Sequence, residues 1–370
     1  MEEIFRFGDE FGPAKVTHVY QPELGLKGVL VVDNVARGPA IGGLRMAPDV
    51  STAECFRLAR AMTLKNSAAG LAHGGGKSVL VGDPRMPRDA KERLIRAFAH
   101  TLRNERDYIF GPDMGTDESC MAWIKDEIGR SVGLPAAMGG IPLDEIGATG
   151  WGLRHAAEVA ARYCGIDLRG ARVAIQGFGA VGKHAARFLA AQGARVVAAS
   201  DTHGTVIDAA GLDVDALIHL KDEGRNVTDY ARGEKRNGEA IVDVECDIWI
   251  PAARPDVIRG DNVHRLHTRL VLQGANIPIT DAAERILHER GVIVIPDFIA
   301  NAGGVICAAS ELAGSTQAAA FAVIAERVSA NTGAVLARVK AQGVLPRAAA
   351  LDLAVQRVKQ AMSYRRFSIF

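Results

Sequence analysis

The chain has 370 residues, 48% of them hydrophobic and 24% charged, with a formal net charge of +1. That length exceeds what one hydrophobic core usually supports, so two domains are expected. The near-zero charge excludes the broad basic face that nucleic acid or an anionic membrane requires.

In chain order, the first strand signal is GLKGVLVVDN (25–34), followed by STAECFRLARAMTLKNSAAG (51–70). The latter reads as a helix opened by a Ser51/Glu54 capping box, with Cys55, Leu58, Ala59 and Met62 on its apolar face. Next comes AAGLAHGGGKSVLVGD (68–83), whose Gly-Lys-Ser suggests a phosphate-binding loop. Gly70 is one residue too far from Gly76 for that motif, and a helix, a glycine turn and then a strand is the reverse of the order such a loop needs. Lys77 on this turn is therefore available for other chemistry. The strand RDYIFGPD (106–113) precedes a Gly/Pro-rich connection, GLPAAMGGIPLDEIGATGWG (133–152), a plausible domain boundary.

Beyond it, strands alternate with helices: RVAIQGFG, ARVVAASD, DIWIPA, LVLQGAN and VIVIPDF. This alternation predicts a parallel, doubly wound sheet. The tail from about 316 is helical, with breaks expected near Gly333 and Pro346. Five scattered cysteines, Cys55, Cys120, Cys164, Cys246 and Cys307, form no C-x-x-C pair, which fits reduced thiols and gives no metal-ligand spacing. No run approaches 18 apolar residues, and the acidic start MEEIFRFGDE does not resemble a signal peptide, so a cytoplasmic protein with no membrane or nucleic-acid partner is expected.

The strand RVAIQ runs into Gly177-Phe178-Gly179-Ala180-Val181-Gly182, then a helix, then a second strand ending at Asp201, 19 residues past Gly182. This is the dinucleotide fingerprint in its full strand–helix–strand context. Gly177 permits the tight turn, Gly179 lets backbone approach a pyrophosphate, Gly182 lets helix and strand pack closely, and the helix N-terminus faces the anion. Asp201 would accept hydrogen bonds from an adenosine ribose and oppose a 2′-phosphate, so NAD is favoured over NADP. Lys183, Arg195 and His203 are the basic residues nearby in sequence that could meet a phosphate.

Taken in order, GGLRM (42–46), LKNSAAGLAHGGGKS (64–78), GPDMGT (111–116), GATGWG (147–152), the fingerprint, LQGAN (272–276) and NAGGV (301–305) resemble the glutamate, leucine, phenylalanine and valine dehydrogenase family. The resemblance implies reversible oxidative deamination of an L-amino acid to a 2-oxo acid and ammonia, carried out by a homo-oligomer. It implies an N-terminal α/β substrate domain (1–135), a Rossmann-type doubly wound dinucleotide-binding domain (145–335), C-terminal helices (336–370) returning to the first domain, and an active site in the interdomain cleft.

Residue by residue, Lys65 matches the group that pairs with the substrate carboxylate, and Lys77 the one that activates water. Asp113 matches the acid that shuttles protons to the intermediate. Asn276 matches a residue that holds the substrate carboxylate beside the cofactor, and Thr149 one that bonds the nicotinamide amide. A free lysine titrates near pH ~10.4, so Lys77 must be pushed down by desolvation and a neighbouring cation, for which Lys65 is the natural candidate.

Family members acting on glutamate hold its distal carboxylate with a lysine just before Gly42-Gly43 and a serine on the helix after Val305. Here those positions are Ile41 and Ala308, which predicts an apolar side-chain pocket. Gly111, two residues before Asp113, matches members that take phenylalanine. A bulky or aromatic L-amino acid is expected. Leucine or valine, glutamate with an unseen cation, and a non-catalytic NAD-binding protein are the alternatives.

Overall fold

The structure, a computed structural model, describes residues 5–365. Two compact units divide the chain. The first takes residues up to Pro142, Val305–Ala320 and those from Leu351; the second takes Leu143–Gly304 and Phe321–Ala350.

The first unit is built on β1 (Lys15–Gln21), β2 (Leu26–Asn34), β3 (Ala40–Ala47), α1 (Thr52–Ala68), β4 (Gly74–Val81), α2 (Arg88–Thr101), β5 (Tyr108–Pro112) and α3 (Glu118–Ile128). Its sheet runs β1-β2-β4-β3-β5, with β3 parallel to both β4 and β5. The period-two alternation of the strands sorts side chains to two faces. Leu30 and Leu80 join Phe98, Tyr108 and Met121 in the cluster that includes α2 and α3 residues, while Val31 and Val79 join Cys55, Phe56 and Ala59 of α1.

Two local expectations change. The glycine run before Lys77 is strand, not turn. A Cβ at Gly75 would lie 1.9 Å from the backbone nitrogen of Thr63, so glycine there lets α1 lie against β4. Ser51 does cap α1, accepting the Glu54 N–H at 3.1 Å, which stabilises a helix start by about 1 kcal/mol. The Glu54 carboxylate, however, turns to Arg45 instead of closing the box.

The second unit comprises α4 (Ala148–Tyr163), β6 (Arg172–Gln176), α5 (Ala180–Ala190), β7 (Arg195–Asp201), β8 (Gly204–Ile207), α6 (Val214–Asp222), β9 (Glu234–Arg236), β10 (Ile248–Pro251), β11 (Leu270–Leu272), α7 (Asp281–Glu289) and β12 (Ile293–Ile295). The order β12-β11-β10-β6-β7-β8-β9 begins with five parallel strands, as the alternation predicts. β8 and β9 extend it antiparallel, because the chain doubles back immediately after Asp201. The parallel strands are buried through their centres, with Ile248, Trp249 and Ile250 of β10 fully enclosed.

The tail forms α8 (Gly303–Leu312), α9 (Gln317–Gln342) and α10 (Pro346–Ser363). Gly333 does not break α9: its bare Cα faces Val159 of α4, where a Cβ would make ordinary contact at 3.9 Å. Residues 305–320, expected in the second domain, cluster with the first. Their anchor is Glu311, which accepts backbone N–H bonds from Gly133 at 2.8 Å, Leu134 at 3.2 Å and Ile141 at 2.8 Å. Residues 336–350, expected in the first, belong to the second. No helix among the described residues is long and apolar enough to cross a membrane.

Candidate active site

Because β3 lies between β4 and β5, Lys77 of β4 and Asp113, the residue following β5, approach each other across Gly43 of β3. Lys77 Nζ lies 3.0 Å from Asp113 Oδ2. A Cβ on Gly43 would stand 2.7 Å from Asp113 Cβ and 3.2 Å from Lys77 Nζ, so only glycine leaves room for the pair. Gly42 is equally confined, against the carbonyl of Gly76. Asp113 is fixed at its backbone by Thr116, whose Oγ1 accepts the Asp113 N–H at 3.0 Å and donates to Leu44 O at 2.7 Å.

Lys77 is buried, only 5% exposed. Burial pushes its ammonium below the ordinary lysine value. The Asp113 charge opposes that shift, and Arg45 adds to it. Arg45 Nε donates to Asp113 Oδ2 at 2.8 Å. For Asp113, burial acts upward but is outweighed by Lys77 and Arg45, which hold the carboxyl below its ordinary value. The group is thus an ionised aspartate with a lysine tuned towards neutrality. Arg45 is a cation that tunes it, a role for which the sequence pointed to Lys65.

Lys65 occupies the last turn of α1 and is half-buried. That helix end is fixed by α10: Arg357 donates to the carbonyls of Ser67 at 3.2 Å and Ala68 at 2.8 Å, and Ser67 Oγ donates to Ala354 O at 2.8 Å. A cation on the last carbonyls is the favourable end of the helix dipole.

Ile41, Ile109 and Val132 form a small buried cluster against which Ala308, Ala309 and Leu312 of α8 pack. The structure therefore brings the two positions singled out for the side-chain pocket, Ile41 and Ala308, into one apolar group. Val305, one turn before Ala308, is half-buried. A Cβ at Gly111 would meet only Val132 at 3.5 Å and Gly42 O at 3.8 Å, so the glycine leaves a space beside this group.

In the second unit, Gly177 turns the chain at φ 93°, and its N–H and that of Phe178 donate to Ser200 O at 3.0 and 2.8 Å. A Cβ on Gly182 would strike Gly177 O, which is the close helix–strand packing the fingerprint requires. Gly179 caps α5 without a side-chain partner and faces open space, leaving the first N–H groups of the helix, at Ala180 and Val181, for an anion. The adjoining cavity of about 700 Å³ is lined by Gly177, Gly179, Asp201, Lys221, Arg254 and Val257 among others. Turn, uncapped helix end and cavity together fit a dinucleotide.

Asp201 is not alone there. Its Oδ2 accepts Lys221 Nζ and Val227 N–H, both at 2.9 Å, and its Oδ1 accepts His203 N–H at 2.9 Å. Burial acts against its charge, and these donors hold the carboxyl below its ordinary value. Of the bases expected near a phosphate, Lys183 is paired with Asp222 at 2.7 Å, and Arg195 bonds to Gly170 O. Thr149 lies on the first turn of α4, where a Cβ on Gly304 would come within 3.2 Å of its Oγ1. Asn276 is exposed after β11, its Oδ1 accepting Asn301 Nδ2 at 3.0 Å, while Asn301 Oδ1 is buried with no partner.

Two family models match the chain: Glutamate/Leucine/Phenylalanine/Valine dehydrogenase over residues 139–366, and the Glu/Leu/Phe/Val dehydrogenase dimerisation domain over residues 13–130. The chain belongs to this family. It is 36% identical over 357 residues to a glutamate dehydrogenase of Aeropyrum pernix, covering 90% of this chain and 85% of that protein. It is 42% identical over 299 residues to an NADP(+)-dependent glutamate dehydrogenase of Pyrobaculum calidifontis, covering 76% and 70%. The hetero-hexameric glutamate dehydrogenase of Thermus thermophilus in its leucine-bound form superposes with a TM-score of 0.82 at 30% identity, over 96% of this chain and 90% of that one. The protein is therefore an oxidoreductase of a family of nicotinamide-dinucleotide-dependent amino acid dehydrogenases.

Sequence reasoning missed four residues that shape these sites. Arg45 stands in the GGLRM stretch, where the resemblance assigns it no role. Lys221, 20 residues past Asp201, carried no local signal, nor did Glu311. Asn301 opens NAGGV, and only its orphaned oxygen marks it.

Proposed function

We propose that the protein catalyses the reversible, NAD-dependent oxidative deamination of an apolar L-amino acid, bulky or aromatic side chains being favoured, to its 2-oxo acid and ammonia. The observation that carries this reading is the pairing of buried Lys77 with Asp113 across Gly43. When bound, the dinucleotide supplies the hydride acceptor. Lys65 pairs with the substrate carboxylate, and Asn276 assists it. Neutral Lys77 takes a proton from the water that adds to the imine carbon. Asp113 then relays the proton now on Lys77 to the nitrogen of the carbinolamine, and the neutral lysine takes up the hydroxyl proton as the carbonyl forms and ammonia leaves. Thr149 binds the nicotinamide amide.

The apolar substrate is supported by the cluster of Ile41, Ile109 and Val132 with Ala308. A distal carboxylate facing it would be desolvated without a partner. The preference for NAD rests on the ionised Asp201, which suits a ribose diol. Lys221 beside it softens the opposition to a 2′-phosphate, so NADP is the weaker second cofactor. The working form is a homo-oligomer, which the description of the matched N-terminal domain supports.

A second reading, glutamate dehydrogenase, is favoured by the names of the relatives quoted above. NADH formation at alkaline pH with L-Phe, L-Trp, L-Leu, L-Val and L-Glu separates the two. Turnover of apolar substrates with little of glutamate is expected; glutamate alone reacting would overturn the pocket assignment and leave the lysine chemistry standing.

A further inference from the structure

Among the described residues, only two non-glycine residues have positive φ, Asp256 at 51° and Ile277 at 43°. They are tied together, Asp256 N–H donating to Ile277 O at 3.0 Å. Ile277 is the last residue expected in such a conformation. It is β-branched, which penalises the left-handed region, and it precedes Pro278, which biases a residue towards extended backbone. Nothing local explains the turn, so tertiary contacts impose it.

The side-chain contact on the Ile277 backbone comes from Asp297. Its Oδ2 accepts the Ile277 N–H at 2.8 Å, and its Oδ1 accepts Arg347 Nη1 at 3.0 Å. Arg347, from the first turn of α10, also donates to Glu284 Oε2 at 2.8 Å and to Gln273 Oε1 at 2.8 Å. Gln273 in turn donates to Glu284 Oε1 at 2.7 Å and accepts the Asp297 N–H at 3.1 Å. The side chains of Gln273, Glu284 and Asp297 are buried and fully engaged. The network has one evident output, the backbone of the turn that carries the exposed Asn276.

We propose that Asp297, backed by Arg347, Glu284 and Gln273, is a positioning residue: it holds Ile277 left-handed and so aims Asn276 at the substrate. This rests on the reading above that Asn276 binds the amino acid. The chemistry makes Asp297→Asn a sharp probe. An asparagine keeps the shape and leaves Arg347 paired with Glu284. Its single acceptor oxygen is claimed by Arg347, so its amide nitrogen meets the Ile277 N–H, donor against donor. The turn then relaxes and Asn276 moves.

The experiment compares Asp297→Asn, Asn276→Ala and the double variant Asp297→Asn/Ile277→Gly, with KM for the best amino acid of the panel, KM for NAD, and kcat measured separately. The expected result is a roughly tenfold or greater rise in amino acid KM for Asp297→Asn, of the size that a small misplacement of a positioning group produces. The KM for NAD should stay within about twofold. Glycine at 277 removes the strain of the left-handed conformation, though its N–H still faces the new amide, so the double variant should recover part of the loss. A purely structural role predicts no such rescue, and its absence would overturn the proposal. So would a normal amino acid KM in Asp297→Asn when Asn276→Ala is impaired. An unimpaired Asn276→Ala would instead remove Asn276 from the substrate site. Should Asp297→Asn not fold, Arg347→Lys, which cannot reach all three partners, provides the same comparison, rescue by Ile277→Gly included.

Discussion

Each unit of the molecule contains a lysine–aspartate pair of almost the same length, Lys77–Asp113 at 3.0 Å and Lys221–Asp201 at 2.9 Å. What differs is which partner is buried. The Lys77 side chain is 6% exposed beside an Asp113 that is 24% exposed, whereas that of Lys221 is 23% exposed, borders an open cavity and pairs with an Asp201 that is 9% exposed. Desolvation dominates at Lys77, pushing it towards the neutral form despite its partner, and a second cation, Arg45, reinforces that. On the function proposed above, the same two side chains serve as a proton-transfer centre where the lysine is buried and as a charge-selective ligand contact where the lysine faces the cavity.

The largest effect should come from emptying the pair whose lysine is buried. Lys77→Ala is expected to lower kcat by about 10³-fold or more, within the range for loss of a general base, while KM for NAD stays within about twofold. Lys221→Ala should leave kcat near the wild-type value. Near-normal turnover in the Lys77 variant would remove the distinction between the pairs. Next in size is the pocket: Ile41→Lys should cut kcat/KM for apolar amino acids by about 100-fold, since an unpaired cation enters the apolar cluster, and should raise activity towards glutamate. An unchanged substrate profile would show that position 41 does not face the side chain.

These predictions depend on residues that were unevenly legible in the sequence. The dinucleotide turn was plain because its glycines, flanking strands and terminal acid are contiguous, and each glycine has a local reason. The parallel strands were plain for the same reason, as short apolar runs between helices. Lys77 was recognised, but its setting was not. Glycines weaken a strand pattern, and their cause here, the packing of Gly75 against Thr63 and of Gly43 against the lysine itself, is tertiary. Arg45 in its role towards Asp113, Lys221 beneath Asp201 and Arg347 behind Ile277 act across 68, 20 and 70 residues of sequence, where no periodicity reaches.

At the second pair, Lys221→Met removes a cation that a 2′-phosphate could use and leaves Asp201 without its cation. The ratio of kcat/KM for NAD over NADP should rise about tenfold. A falling ratio would mean that Lys221 serves the ribose of NAD.

The smallest change in rate carries the most direct test. Loss of Arg45 removes a positive charge that disfavours the protonated Lys77, and Asp113 is left to stabilise the ammonium alone, so the lysine titrates higher. Activity that requires neutral Lys77 is present above its pKa and lost as pH falls through it. The decisive measurement is kcat/KM for deamination against pH in the wild type and in Arg45→Met. The account predicts a wild-type ascending limb below the ordinary lysine value of about 10.4, moving up by about one pH unit in the variant. A wild-type limb already at the ordinary value, or one that stays in place without Arg45, would contradict the claim that burial and Arg45 make Lys77 the base.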